Sequence, residues 1–250
     1  MKKEYHLEGS LVLEELHDKI AKEAIEDYPN EAVWLVTNKG VTKVKNIAVD
    51  KKSSFLVSDE DYLIAHKEGL IAVIHSHPDY WACPSKSDMQ QQLSTNVPWG
   101  IISTDGERCS QITWFGIPDK EPLVGRGFVH GVTDCYGLIK DYYLLEKSIS
   151  IPEFPRDWEW WNKGENLYAD GFSKAGFRVI SEKEAKVGDV WLAQVRSNVV
   201  NHGGVLVENG LAIHHPGSKN PVDKNSLSRR EPIVRWLPYI VLWLRHKDVK

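Results

Sequence analysis

Cysteine is scarce in this chain: three in 250 residues, Cys83, Cys109 and Cys135. Their spacing suggests no disulfide framework. So sparse and odd a count fits a reducing compartment during synthesis and leaves room for one reactive thiol. Basic charge is not in excess either. Lysine and arginine number 31 against 35 acidic residues, a net charge of −4. That argues against nucleic acid as the main partner, because a phosphate-binding surface needs surplus cations. Long apolar runs are missing too. The longest, WLPYIVLWL at 236–244, is too short to span a bilayer and reads as a buried terminal strand. The amino-terminal stretch MKKEYHLEGSLVLEEL has no apolar core of signal-peptide length. A soluble protein, made without a standard signal peptide, is the expectation.

Tryptophan, by contrast, is abundant: there are 10. Three of them, Trp158, Trp160 and Trp161, crowd the segment RDWEWWNKG at 156–164. They are expected to dock a long loop onto the core, with stacking on a ligand as the alternative. A hydrophobic share of 42% and a charged share of 26% are those of a globular protein, and 250 residues suffice for two ordinary domains.

Along the chain, Leu13, Leu16, Ile20 and Ala24 fall at helical spacing within 11–27. The helix should stop before YPNE, since proline disfavours a helical residue ahead of it. EAVWLV reads as a buried strand, VTKVKNIAV as a half-exposed one, and DEDYLIAHKEG as a helix ending at Gly69. LIAVIHSH is an apolar strand, SDMQQQLSTN a helix capped by Ser85 or Ser87, and PWGIISTDG and CSQITWFGI two more strands. Residues 118–127, PDKEPLVGRG, have the composition of a linker. Beyond them come a helix in TDCYGLIKDYYLLEK and another around NLYADGFSKAG, then strands at VGDVWLAQV, HGGVLVEN, LAIHHP and IVRWLPYIVLWLRH. The expected class is α+β in two domains: 1–117, mixed α/β, and 128–250, helix plus antiparallel sheet.

His75 and His77 share one face of their strand, because residues i and i+2 project together. Pro78 ends that strand, and Asp88 in the first turn of the next helix can add an oxygen. Two histidines and one carboxylate leave a fourth position open, the arrangement of a catalytic rather than a structural zinc. Glu31, at the start of EAVWLV, is the candidate base. An isolated His-x-His fits a metal-free polar loop equally well. His66 and Asp79 read as solvated bystanders and Cys83 as a packed thiol.

HSHP, then seven residues from His77 to Ser85 and two more to Asp88, resembles the JAMM motif of MPN-type metalloproteases over about 10–117. The resemblance implies His75, His77 and Asp88 as zinc ligands, Glu31 as general acid/base and Ser85 stabilising the oxyanion. It also implies peptide or isopeptide cleavage, often beside ubiquitin-like partners.

Cys135 opens a helix with Thr133 or Asp134 as cap. Backbone N–H groups and the helix dipole there are expected to favour thiolate. Downstream, NHGGVLVENGLAIHHP sets His202 and His214 on two strands joined by the turn signal ENG, so both can meet on one face. His215 competes with His214, and strand alternation turns one of them away. A buried cysteine with two hydrogen-bonded sheet histidines is the structural alternative. Cys109 reads as core, and His130 as a possible rim contact.

From about 125 to 245 the chain resembles the NlpC-type cysteine peptidases, papain-like cell-wall endopeptidases, through the Asp-Cys helix start, VGDVW and the hairpin histidines. This implies Cys135 as nucleophile, His202 as base and His214 as the orienting residue. Tyr136 departs from the small serine often found there, which bears on the pocket rather than the chemistry.

The two domains in this order resemble the tail tip assembly proteins of long-tailed phages, the lambda protein K group. The resemblance implies a hydrolase of the virion tail tip, assembled in the host cytoplasm. Its second domain is expected to cut peptidoglycan stem peptides during infection, and its first to act in tail assembly. Implied partners are other tail tip proteins, including a ubiquitin-like one. Two other functions fit the same residues: a catalytically silent tail-tip scaffold, and a cytosolic processing peptidase for a ubiquitin-like partner.

Overall fold

The computed structural model describes residues 10–249, with side chains from Leu16 onward. Residues 1–9 of the amino-terminal stretch MKKEYHLEGSLVLEEL, and the side chain of Leu13, lie outside the described residues. Two compact units emerge, one running to Ala82 and resuming over Gln92–Ile117, the other comprising Cys83–Gln91 and the chain from Pro118 onward. Both combine helices and sheet, in keeping with the α+β expectation.

In the first unit, α1 (Ser10–Asp27) buries Ile20 and Ala24 against Trp34, Val36, Ile74 and Ile102. It ends ahead of Pro29, as expected. Strands β1 (Val33–Thr37) and β2 (Gly40–Val44) form a hairpin. Every residue of β1 is buried, whereas β2 is half exposed at the sheet edge. The expected strand from Val41 to Val49 stops at Val44 because Asn46 takes over the backbone bonding. Its Oδ1 accepts from the N–H groups of Ala48 and Leu56, and its Nδ2 donates to the carbonyls of Glu31 and Ser54.

Helix α2 (Asp59–Lys67) is capped by Ser58, which accepts from the Asp61 N–H, and carries three acidic residues in its first turn. Gly69, at φ +80°, turns the chain into β3 (Leu70–Pro78). Helix α3 (Lys86–Thr95), which begins in the second unit and enters the first at Gln92, then leads to β4 (Trp99–Thr104), which runs parallel to β3. A helix is the usual crossover between parallel neighbours. The strand expected from Cys109 shortens to β5 (Thr113–Phe115). Sheet order is β2-β1-β3-β4-β5, so β3 lies at the centre.

In the second unit, β6 (Gly127–Val129) follows the Pro- and Gly-bearing segment. Within that segment Arg126 is buried and pairs with Asp141 at 2.6 Å. Helix α4 (Cys135–Lys147) begins at the Asp134 cap and stops at Ser148 in the left-handed region. Short α5 (Leu167–Gly171) precedes β7 (Phe177–Ile180), β8 (Val190–Ala193), β9 (His202–Val207) and β10 (Leu211–His214). Strands β11 (Val222–Leu227), which pairs with β6, β12 (Arg229–Pro232) and β13 (Ile240–His246) complete it.

Sheet order is β12-β10-β9-β8-β13-β7, antiparallel throughout. Leu138, Ile139, Tyr142 and Tyr143 of α4 pack on its Val190, Leu192, Val205, Ile213 and Leu244. The single terminal strand expected from Ile233 is broken. A 3-10 turn at Ile233–Arg235 separates β12 from β13, and Pro238 has no N–H to extend a ladder.

Candidate metal centre and cysteine site

His75 and His77 lie on β3, both buried, with their Nε2 atoms 3.0 Å apart. Asp88 enters from the first turn of α3, and ligand atoms of the three residues all lie within 4.8 Å of one another. Among the described residues this is the one such metal-capable group. His77 Nδ1 sits 2.9 Å from the Trp81 carbonyl, which can only accept. Nδ1 therefore carries the proton, and the lone pair of Nε2 faces His75. Two imidazole nitrogens opposed at that distance need a proton or a cation between them. With the carboxylate they form a nitrogen- and oxygen-donor set that fits zinc.

Ser85 and Asp88 form a reciprocal cap at the start of α3. Ser85 Oγ accepts from the Asp88 N–H at 3.1 Å, while Asp88 Oδ2 accepts from the Ser85 N–H at 2.8 Å and the Ser85 hydroxyl at 2.7 Å. Ser85, not Ser87, is thus the cap, and its hydroxyl is engaged with Asp88. Glu31 is buried two residues before Val33, which pairs with His75. Ser76 N–H donates to the Ala32 carbonyl at 2.9 Å, continuing that register and setting Glu31 on the same side of the sheet as the histidines. His66 and Asp79 are exposed, and Tyr28 donates to Asp79 at 2.8 Å. Cys83 is buried, and its burial, then the Asp88 carboxylate, push its thiol up to about 12.

In the second unit a cavity of about 730 Å³ is lined by Cys135, His202, Tyr168, Trp158, Trp160 and Trp161, among others. Trp160 is buried, yet it also lines the cavity, so this tryptophan segment both docks and faces open space. Cys135 stands at the first position of α4, half-buried, with Sγ 3.1 Å from the Tyr168 hydroxyl and the Gly203 N–H turned toward it.

The expectation of a favoured thiolate is reversed. Burial pushes the Cys135 thiol up to about 11, and the Asp134 carboxylate adds to this against the Tyr168 hydroxyl and Arg156. Burial likewise holds His202 well below the ordinary imidazole range, with His214 and His215 pushing the same way. Both shifts favour the neutral forms, thiol and imidazole.

His202 Nε2 lies 3.1 Å from His214 Nδ1. His214 is the histidine turned toward His202, whereas His215 faces backbone carbonyls, its Nε2 2.9 Å from that of Arg126 and its Nδ1 3.0 Å from that of Pro216, and its one N–H donates to one of them. Behind His214 stands a residue that sequence reasoning missed: Glu231 Oε1 lies 2.6 Å from His214 Nε2. Burial brings His214 down to about 4 against the opposing pull of Glu231. Burial would raise the Glu231 carboxyl, but the Trp236 indole, His214 and Arg229 hold it below its usual value. Tyr168 and Arg156 were also missed. Cys109, by contrast, packs beside α1, and His130 lines the cavity with its Nε2 3.2 Å from the Arg156 carbonyl.

Over 241 residues the chain is 31% identical to tail tip assembly protein K of Escherichia phage N15, covering 93% of this chain and 95% of that one. The chain belongs to the tail tip assembly protein K family. The protein of that name from Escherichia phage lambda is 36% identical over 163 residues, 64% of this chain and 76% of that one. Two domain families match the chain as well: prokaryotic homologs of the JAB domain over residues 13–114, and the NlpC/P60 family over 125–238. A solved NLP/P60-family structure from Staphylococcus aureus, described as similar to lipoprotein, is 20% identical. It covers 50% of this chain and 37% of that one, with a TM-score of 0.32.

Proposed function

We propose that this tail tip protein is a hydrolase whose Cys135 centre cleaves peptidoglycan stem peptides during infection. The observation that carries it is that a helix-opening cysteine and His202 line one cavity, with His214 behind the candidate base. His202 takes the proton of Cys135 as sulfur adds to the peptide carbonyl, and returns it to the departing amine. Backbone N–H groups at the start of α4 face the developing oxyanion. Water then hydrolyses the thioester with His202 again as base, freeing the acid and the thiol.

For the first domain the proposal is a zinc-dependent peptidase or isopeptidase acting in tail assembly. His75, His77 and Asp88 would hold zinc, Glu31 would move protons as general acid/base, and Ser85 would stabilise the oxyanion. Bound there, zinc supplies Lewis acidity toward a carbonyl and acidifies water. The donor set and its close spacing support this. Proposed boundaries are 1–117 and 128–250, joined by a linker at 118–127. Other tail tip proteins, one of them ubiquitin-like, are the proposed partners, and the virion tail tip, assembled in the host cytoplasm, is the proposed location.

Muropeptide digestion tests the cysteine centre: Cys135→Ala abolishes cleavage while zinc content by elemental analysis is unchanged. Undiminished cleavage by that variant sinks the assignment. One observation favours a second reading, a catalytically silent scaffold: Cys135 Sγ lies 3.1 Å from the Tyr168 hydroxyl, and burial raises rather than lowers its thiol. Phage carrying both Cys135→Ala and Glu31→Gln, yet fully infectious, would decide for it.

A further inference from the structure

We propose that Glu231 is a positioning residue of the cysteine centre, fixing the tautomer of His214 and, through it, that of His202. The inference rests on the cysteine-peptidase reading and adds a fourth member to it. An ionised carboxylate has only acceptor atoms, so the 2.6 Å contact to Glu231 Oε1 requires the proton of His214 to sit on Nε2. A neutral imidazole has one N–H, which leaves His214 Nδ1 as an acceptor. The partner 3.1 Å away, His202 Nε2, must then donate. The lone pair of His202 is thereby placed on Nδ1, free of the relay. One carboxylate thus orders two imidazoles in series.

Glu231 is well held for this. Its side chain is 10% exposed. The Trp236 indole donates to the same Oε1 at 2.9 Å, while Arg229 and Arg235 flank Oε2 at 3.4 and 3.5 Å. Trp236 also lies against both rings, with centroids 4.8 Å from His202 and 4.8 Å from His214. Register explains the placement: Ala212 pairs with Glu231 across β10 and β12, so the carboxylate shares a face with His214 two residues on. Among the described residues lining the cavity, His214 and Glu231 are absent. Glu231 therefore acts through His214 rather than on substrate.

The test is nitrogen-15 NMR of the full chain labelled at histidine, paired with muropeptide kinetics. In the native protein at pH 8 both His202 and His214 carry the proton on Nε2. In Glu231→Leu, His214 becomes a mixture of tautomers, and kcat falls about thirtyfold with KM within threefold. Unchanged tautomers, unchanged kcat, or a loss confined to KM overturns the proposal. Should Glu231→Leu not fold, Glu231→Gln decides. Its amide oxygen still faces two donors, so tautomers persist while kcat drops severalfold for want of the charge; full kcat overturns the proposal. His202→Ala is the control. If it still cleaves, the cysteine-peptidase reading itself fails; if it is inactive while the Glu231 variants keep full rate, only this inference does.

Discussion

Arg156 holds Asp134 through both carboxylate oxygens, its Nη2 at 2.9 Å from Oδ1 and 2.8 Å from Oδ2. Asp134 in turn caps α4 through the Gly137 N–H at 2.9 Å and accepts from Gly131 at 2.8 Å. The ion pair therefore sets the helix start that presents Cys135. Removing one partner leaves a buried charge uncompensated, so Arg156→Met should lower the unfolding free energy by about 3–5 kcal/mol. Urea denaturation measures it. Burial alone would raise the Asp134 carboxyl, but Arg156, His130 and the two backbone N–H groups hold it well below the carboxylate range. With a depressed folded value, its stabilisation is complete above the unfolded value of about 3.9. It is lost as pH falls below that. The native and Arg156→Met proteins should accordingly converge in stability below about pH 4. A gap that stays constant down to pH 2 would refute the assignment.

His214 and His215 are neighbours in sequence with different tasks. His214→Ala removes the partner of His202 Nε2 and should cut kcat on muropeptides about a hundredfold. His215→Ala loses its N–H bond to a backbone carbonyl and should cost about 1–3 kcal/mol of stability while kcat stays within threefold. Steady-state kinetics beside thermal unfolding separates the two. Equal kinetic losses would mean that alternation along β10 does not assign the role.

What could be read from the chain was local. His75 and His77 are two residues apart on one strand, Ser85 and Asp88 sit in one helical turn, and Cys135 announces itself beside its cap. His202 and His214 meet because Asn209, at φ +61°, turns a tight hairpin between them. Each of these follows from a short-range period or a turn preference. Glu231 was hidden because RREP resembles a solvated charge cluster, and its place depends on which strand pairs with β10. Tyr168 arrives from a five-residue helix too short to have a period. The thiolate expectation failed for the same reason. A helix start is a local feature, whereas the burial that raises Cys135 is assembled from the whole cavity wall.

That burial makes Cys135 slow toward small electrophiles at neutral pH. With the thiol raised to about 11, alkylation by iodoacetamide should climb about tenfold per pH unit from 7 to 10, as the thiolate fraction does. Tyr168→Phe removes a hydroxyl that favours thiolate and should slow modification at pH 8 severalfold. Mass spectrometry of the intact protein follows Cys135 against the Cys135→Ala background. A rate already level at pH 7 would mean a preformed thiolate.

Ser85 offers the sharpest test at the first centre, because two roles for it make different demands. As the cap of α3 it holds Asp88 Oδ2 by its N–H and its hydroxyl, orienting the carboxylate toward His75 and His77. Ser85→Ala deletes the hydroxyl but keeps the N–H bond. The helix should lose about 1 kcal/mol. Zinc affinity, measured by competition with a chromophoric chelator, should fall about tenfold or more, since outer partners of a ligating carboxylate carry effects of that size. A residue serving only to stabilise an oxyanion would leave affinity untouched and depress turnover alone. Loss of zinc affinity together with the cap therefore marks Ser85 as the support of Asp88, and retained affinity with lost turnover would restrict it to the reacting carbonyl.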